Sequence, residues 1–398
     1  MSAWPKHTAH TVPWTSTGRR GPRDDRTLSS VTVSLPPEIA DLTPPSASGR
    51  DLARARWEAR DLERVADGLL SPLAGFLIRM ESVASSRIEH VEATPVAFAR
   101  AIGGIKENTS ATSMVAAGES ITALIQASTE TISLDEILAA HQALMHHDAD
   151  ASERRYAGQV RDVQNWIGGS QYSPRNALYV PPPPEAVPGL LDDLIVFSNR
   201  NDIEPITQAA LAHAQFESIH PFTDGNGRIG RALIGAILRR RGVTPHTVLP
   251  VASALAADTA HYFALLTAYR SGDALPIISD LALSVETAAR EARGTARAFA
   301  AYEEAWRARV SPRADSAINT ILPALLALPV FTVEQLAQAT GVPERNVYRA
   351  VETLKEHDVV QAVTERIRGR AYAAMDILDE FDDLDTRIRE RITRLRGT

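Results

Sequence analysis

The chain has 398 residues, 44% of them hydrophobic and 23% charged, with a net charge of −7, which fits a soluble globular protein of two or three domains. It has no cysteine, which excludes disulfides, zinc–thiolate sites and thiol nucleophiles. No apolar run approaches the ~20 residues of a membrane span, the start lacks an apolar signal region, and the acidic balance gives no overall attraction to nucleic acid. A cytoplasmic enzyme with no membrane contact is the expectation.

Residues 1 to about 45 are rich in Pro, Ser, Thr and Arg and are expected to be mostly flexible. Helices follow from Gly49 to about His146, with 51–59 a good helix-former run and a break between Gly103 and Ser113. Residues 160–169 and 177–180 are β-prone pieces around a Gly, Ser, Pro and Asn connector, which predicts a small hairpin. Pro181 to Pro184 then make a stiff exit into a helix at 188–199. Helical spacing covers 204–219 and resumes near Arg228, where Ile229, Ala232, Leu233, Ala236 and Ile237 mark one apolar face to Arg240. Further helices are predicted at 257–271 and 276–309. Past a boundary near 310–312 come a helix at 318–328, a helix-turn-helix over 331–349, and two β-prone pieces between Val359 and Met375, as a wing would supply. Residues 376–396 are read as a solvated, charged helix.

Between the helices ending at His220 and starting near Arg228 lies Asp224-Gly225-Asn226-Gly227. Unpaired N–H groups at a helix start carry the positive end of its dipole, and glycines let backbone curl round an anion. Arg228 and Arg231, three apart, are neighbours on the first turn and suit a polyphosphate. Asp224 at the rim can hold Mg²⁺, and His220 can take a proton at neutral pH. These parts describe phosphate transfer to a nucleophile activated by His220. A hairpin turn is disfavoured by the helical flanks. A calcium loop with Gly227 as its glycine would place Phe222 and Leu233 where ligands are required.

Residues 220–231, His-Pro-Phe-Thr-Asp-Gly-Asn-Gly-Arg-Ile-Gly-Arg, resemble the signature of Fic domain proteins at every defined position. The resemblance implies a mainly α fold, with a helical Fic core, a small β-hairpin flap and, here, a C-terminal winged helix-turn-helix. It implies a protein adenylyltransferase that moves AMP from ATP to a Ser, Thr or Tyr hydroxyl of a target protein and of itself. His220 would be the general base, and Asp224 would bind Mg²⁺ bridging the α- and β-phosphates. Gly225, Asn226 and Gly227 would cradle the phosphates, Arg228 would hold the triphosphate and Arg231 its γ-phosphate, with Phe222 packed in the core. The phosphate-transferring Doc branch carries Lys where this chain has Gly227, which argues against a kinase.

Residues 158–169 and 180–184 look like the family's flap, which would dock the target by strand addition through Ile167, Gly168, Gly169 and Tyr179. Residues 85–90, with Ser85 and Glu89, are similar to the family's inhibitory helix motif, although His90 stands where Gly or Asn is usual; Glu89 would pair with Arg231 and block the γ-phosphate. Tyr262-Phe263 resembles an aromatic pair that lines the nucleotide pocket, with Tyr262 as the ATP contact. The resemblance spans about residues 35–300.

Arg345, Asn346 and Arg349 on the second helix of the helix-turn-helix, with Arg366, Arg368 and Arg370 in the wing, could meet DNA. The acidic residues around them disfavour this against a protein-docking or structural role. The division expected is a mostly flexible segment 1–45, a helical region with the inhibitory motif 46–150, a catalytic core 151–309, a winged helix-turn-helix 310–378 and a charged tail 379–398. Two other functions compete: removal of AMP by the same site, and a nucleotide-sensing transcription regulator. A homodimer is compatible with all three.

Overall fold

The computed structural model describes residues 4–15, 21–66, 69–146, 150–364 and 370–397. It is mainly helical, with two small antiparallel sheets. The chain divides into two units: Met1–Leu52 with Ala123–Arg241 and Ala260–Ala282, and Ala53–Thr122 with Gly242–Thr259 and Leu283–Thr398.

The first unit is built on the helix Pro205–Ile219, whose residues from Ile206 to Ile219 are all buried. The Glu204 carboxylate caps it by accepting the Thr207 N–H at 2.8 Å, and Pro205 supplies a pre-set first turn. It packs against Val187–Asn199 and Asn226–Arg240. The predicted apolar face of the latter is buried at all five positions, Ile229, Ala232, Leu233, Ala236 and Ile237. The close approach of these two helices depends on Gly230, where a Cβ would lie 2.7 Å from Glu217 Oε1 and 3.0 Å from Phe216 Cδ1. Leu134–Met145, closed by a Ser133–Glu136 capping box, completes this layer.

The segment expected to be mostly flexible holds a strand pair instead. Thr8–Pro13 and Ser30–Leu35 are antiparallel, with Thr8 opposite Leu35 and Pro13 opposite Ser30. The reason is a period of two concealed in a Ser/Thr-rich composition. Val31 and Val33 point inward with Val180, and Val12, Trp14, Trp166 and Ala177 pack around them.

In the second unit, Leu70–Ile88 packs against Val251–Ala256, Ile318–Ala327 and Met375–Arg396. Thr332 and Gln335 form a capping box that opens Val333–Thr340, and Gly341 closes that helix at φ 70°. The next helix, Glu344–Glu356, buries Val347, Ala350, Val351 and Leu354. Three strands, Val330–Thr332, Ala371–Ala374 and Val360–Ala362, pair antiparallel in that spatial order. Arg366 and Arg368 lie outside the described residues.

The terminal helix Met375–Arg396 is not simply solvated. Ile377, Leu378, Phe381, Leu384, Ile388 and Ile392 give it a buried stripe at helical spacing, which its high charge conceals in a composition reading. Asp376 accepts from Trp306 Nε1 at 2.6 Å, and Glu380 from Arg387 and Thr295. Among the described residues no helix is long and apolar enough to cross a membrane.

Candidate active site

The 220–231 motif lies wholly in the first unit, between its two most buried helices. Pro221 cannot extend the helix Pro205–Ile219, and His220 turns the chain with a left-handed backbone, φ 51° and ψ 61°. Phe222 is fully buried, with His141 stacked on it at 3.7 Å and 4° between planes. Gly225 is the second left-handed residue, φ 78°, and a Cβ there would meet Leu144 Cδ2 at 2.9 Å. Glycine is required at this position on both counts.

The following helix starts at Asn226, two residues earlier than its apolar periodicity predicts. Asn226 and Gly227 therefore form its first turn, where main-chain N–H groups have no acceptor within the helix. The Asn226 side chain does not reach outward. Its Oδ1 accepts the Phe222 N–H and its Nδ2 donates to the Phe222 carbonyl, each at 2.8 Å, so it staples the loop. Asn165 Nδ2 donates to the same carbonyl at 2.8 Å. The Asp224 side chain is 51% exposed; one carboxylate oxygen accepts the Gly225 N–H at 2.6 Å and the other lies 3.4 Å from Arg228 Nη2. Arg228 and Arg231 are buried, at 5% and 1% exposure.

The C-terminal end of Pro205–Ile219 would leave its last carbonyls without helical donors. Three side chains distant in sequence supply them. Arg161 donates to the carbonyls of His220 (Nε, 2.8 Å) and Ile219 (Nη2, 3.4 Å), and also to those of Val163 (3.0 Å) and Pro182 (2.7 Å). Tyr179 Oη donates to the Ser218 carbonyl at 2.6 Å, and Arg270 Nη2 to that of Glu217 at 3.3 Å. Arg270 also lies over the Tyr179 ring, 3.6 Å from its centroid. Cations at a helix C-terminus oppose its dipole, so both arginines favour this end electrostatically as well. Burial draws the Arg161 guanidinium down to about 10, which leaves it charged at neutral pH. Reading the sequence missed Arg161 and His141; the run of residue types around each carries no signal of a carbonyl tens of residues away.

The segment expected to form a hairpin pairs at a single bridge. Ile167 and Tyr179 form an isolated antiparallel bridge, and Gly168 and Gly169 turn the chain at φ 73° and 74°. Tyr179 points inward, so its side chain belongs to the helix brace rather than to a docking face. The exposed apolar side chain is its neighbour Leu178, at 86%. Tyr262 is likewise buried, with its hydroxyl 2.9 Å from His213 Nε2, and Phe263 is the exposed ring of that pair. Ser85 is buried inside the helix Leu70–Ile88, and Glu89 follows that helix as its C-terminal cap in the second unit.

Desolvation holds three histidines of the first unit neutral, His141 and His213 fully buried and His7 partly buried. It lowers His141 to about 4 and both His213 and His7 to about 3. Their folded values lie below the unfolded one of 6.5, so the unfolded chain binds more protons as pH falls. Stability is therefore complete above about pH 6.5 and falls below it, by about 1 kcal/mol per histidine at pH 5.5. Urea unfolding at pH 7.5 and 5.5 measures this, with an expected drop in midpoint at the lower pH.

Residues 131–238 match the family model described as Fic/DOC family. Two curated relatives are similar over part of their length: "Protein adenylyltransferase fic-1" of Caenorhabditis elegans is 35% identical over 152 residues, 37% of this chain and 26% of that protein. "Protein adenylyltransferase Fic" of Nematostella vectensis is 32% identical over 166 residues, 41% of this chain and 34% of that protein. The chain thus spans about a quarter to a third of the length of these relatives. In fold it is similar to the crystal structure of a Fic family protein from Desulfovibrio desulfuricans G20, with a TM-score of 0.53 at 22% identity over 84% of this chain and 98% of that one. The whole 220–231 motif lies inside the region, residues 131–238, that matches the Fic/DOC family model.

Proposed function

We propose that this protein is an adenylyltransferase that transfers AMP from ATP to a hydroxyl side chain of a target protein and of itself. The observation that carries the reading is one rigid turn joining an imidazole, an outward carboxylate and a helix N-terminus backed by Arg228. His220 takes the proton from the attacking hydroxyl, the oxygen bonds to the α-phosphorus, and the bond to pyrophosphate breaks. The first-turn N–H groups of Asn226 and Gly227, with Arg228 and Arg231, hold the triphosphate and meet the developing charge. The half-exposed Asp224 carboxylate beside that turn suits Mg²⁺, a hard cation that takes one or two carboxylates with phosphate oxygens. When bound, Mg²⁺ neutralises phosphate charge.

The flap around Ile167 to Leu178 is the target-docking element of this proposal, supported by its bridge geometry and the exposure of Leu178. Restraint through Glu89 belongs to it as well, on the strength of the Ser85–Glu89 motif. The test is transfer of label to protein from α- and γ-labelled ATP, for the unaltered chain and for Glu89→Gly. Only the α-label is expected to appear, more strongly in Glu89→Gly. Transfer of the γ-label alone would overturn the adenylyl reading, and an unchanged rate in a folded Glu89→Gly would overturn the restraint.

A further inference from the structure

His141 lies outside the motif, 83 residues before the carbonyl it touches. Both of its ring nitrogens meet main chain. The Gly158 N–H lies 3.0 Å from Nδ1, and the Asp224 carbonyl lies 3.1 Å from Nε2. A main-chain N–H can only donate and a carbonyl can only accept. The neutral ring with its proton on Nε2 is therefore the form that satisfies both partners.

The carbonyl of Asp224 and the N–H of Gly225 belong to one peptide plane. His141 holds the first, and the Asp224 carboxylate accepts the second at 2.6 Å. This plane adjoins Gly225, at φ 78°, and a glycine has access to both signs of φ. A flip would exchange the positions of a carbonyl and an N–H at the start of an anion-binding turn, and would break the hydrogen bond that the Gly225 N–H gives the Asp224 carboxylate. The ring lies flat on Phe222, and its Cδ2 is 3.5 Å from where a Cβ at Gly225 would stand, so a single side chain bears on the loop at Phe222, at the Asp224 carbonyl and beside Gly225.

We propose that His141 is a positioning residue for polyphosphate binding. It pins the 224–225 peptide so that the Asp224 carboxylate and the helix N-terminus face the nucleotide together. This rests on the reading that the loop takes ATP. Two variants separate the hydrogen bonds from the packing. His141→Phe keeps the ring on Phe222 and loses both bonds, whereas His141→Gln can keep a donor near the Nε2 position.

The measurement is calorimetric binding of ATP in the presence of Mg²⁺, with thermal melts reporting folding. His141→Phe is expected to bind about tenfold more weakly, and His141→Gln to recover most of that loss. Nitrogen-15 NMR of the unaltered chain at pH 7 is expected to show His141 neutral and protonated at Nε2. Wild-type affinity in folded His141→Phe would overturn the proposal, and so would a folded His141→Gln as weak as the Phe variant. An Nδ1-protonated ring in the unaltered chain would overturn it whether or not the variants fold. Failure of the unaltered chain to bind ATP at all would count against the nucleotide reading, while the NMR result still reports on the pin.

Discussion

In the proposed reaction, His220→Asn is expected to lower AMP transfer by about a thousandfold, the loss that follows removal of a general base. Asparagine is the informative replacement because of the backbone. His220 has φ 51° and closes the helix Pro205–Ile219, and asparagine tolerates this left-handed turn better than alanine does. The helix brace uses the carbonyls of Ile219 and His220, which the substitution leaves in place. A stability change of about 1 kcal/mol or less is therefore expected alongside the loss of rate. Retained transfer at a tenth of the wild-type rate would show that the hydroxyl loses its proton elsewhere. A large drop in melting temperature would show instead that the ring itself supports the loop.

Arg161→Ala is expected to produce the largest loss of stability. Its guanidinium meets four carbonyls, those of His220, Val163, Pro182 and Ile219, in an environment that is 2% exposed. Removing it leaves those acceptors facing a cavity too enclosed for all of them to be rehydrated. The expected cost is about 3–5 kcal/mol, at the level of a buried group stripped of its partner. Arg161→Lys should give an intermediate loss, because an ammonium cannot span acceptors arranged around a planar fork. Urea unfolding of the two variants measures the ranking. Transfer by the folded fraction should also fall, by about tenfold or more, since displacement of the helix end moves His220. Equal midpoints for wild type and Arg161→Ala would mean that the helix end is held by Tyr179 and Arg270 alone.

These two residues differ in how visible they are in the sequence. His220, Asp224 and Gly225 lie in one turn between two helices, and Arg228 and Arg231 on the start of the second, so their proximity is a property of the local chain. The apolar face from Ile229 to Ile237 and the helix-turn-helix over 331–349 are local in the same sense. Spacing along a helix or turn translates directly into geometry there.

Arg161, His141, Tyr179 and Arg270 reach the loop from other segments, and only packing decides that they meet it. Asn226 shows the same limit inside the motif. Its type suits a phosphate cradle, yet its amide is folded back on Phe222, where a buried peptide needs partners on both sides. Tyr179 and Tyr262 read as surface or pocket aromatics and prove to be buried hydroxyl donors or acceptors, because each fills a gap beside a polar group on the central helix. The strand pair at Thr8–Pro13 and Ser30–Leu35 escaped a compositional reading because Val31 and Val33 count for little until Val180 lies against them. The sequence by itself determined the chemistry of the loop and the helices that bear it, since both rest on contacts between near neighbours. The tertiary structure decided what holds that loop in place, since those carbonyls and N–H groups can be satisfied only by residues that the fold brings from far along the chain.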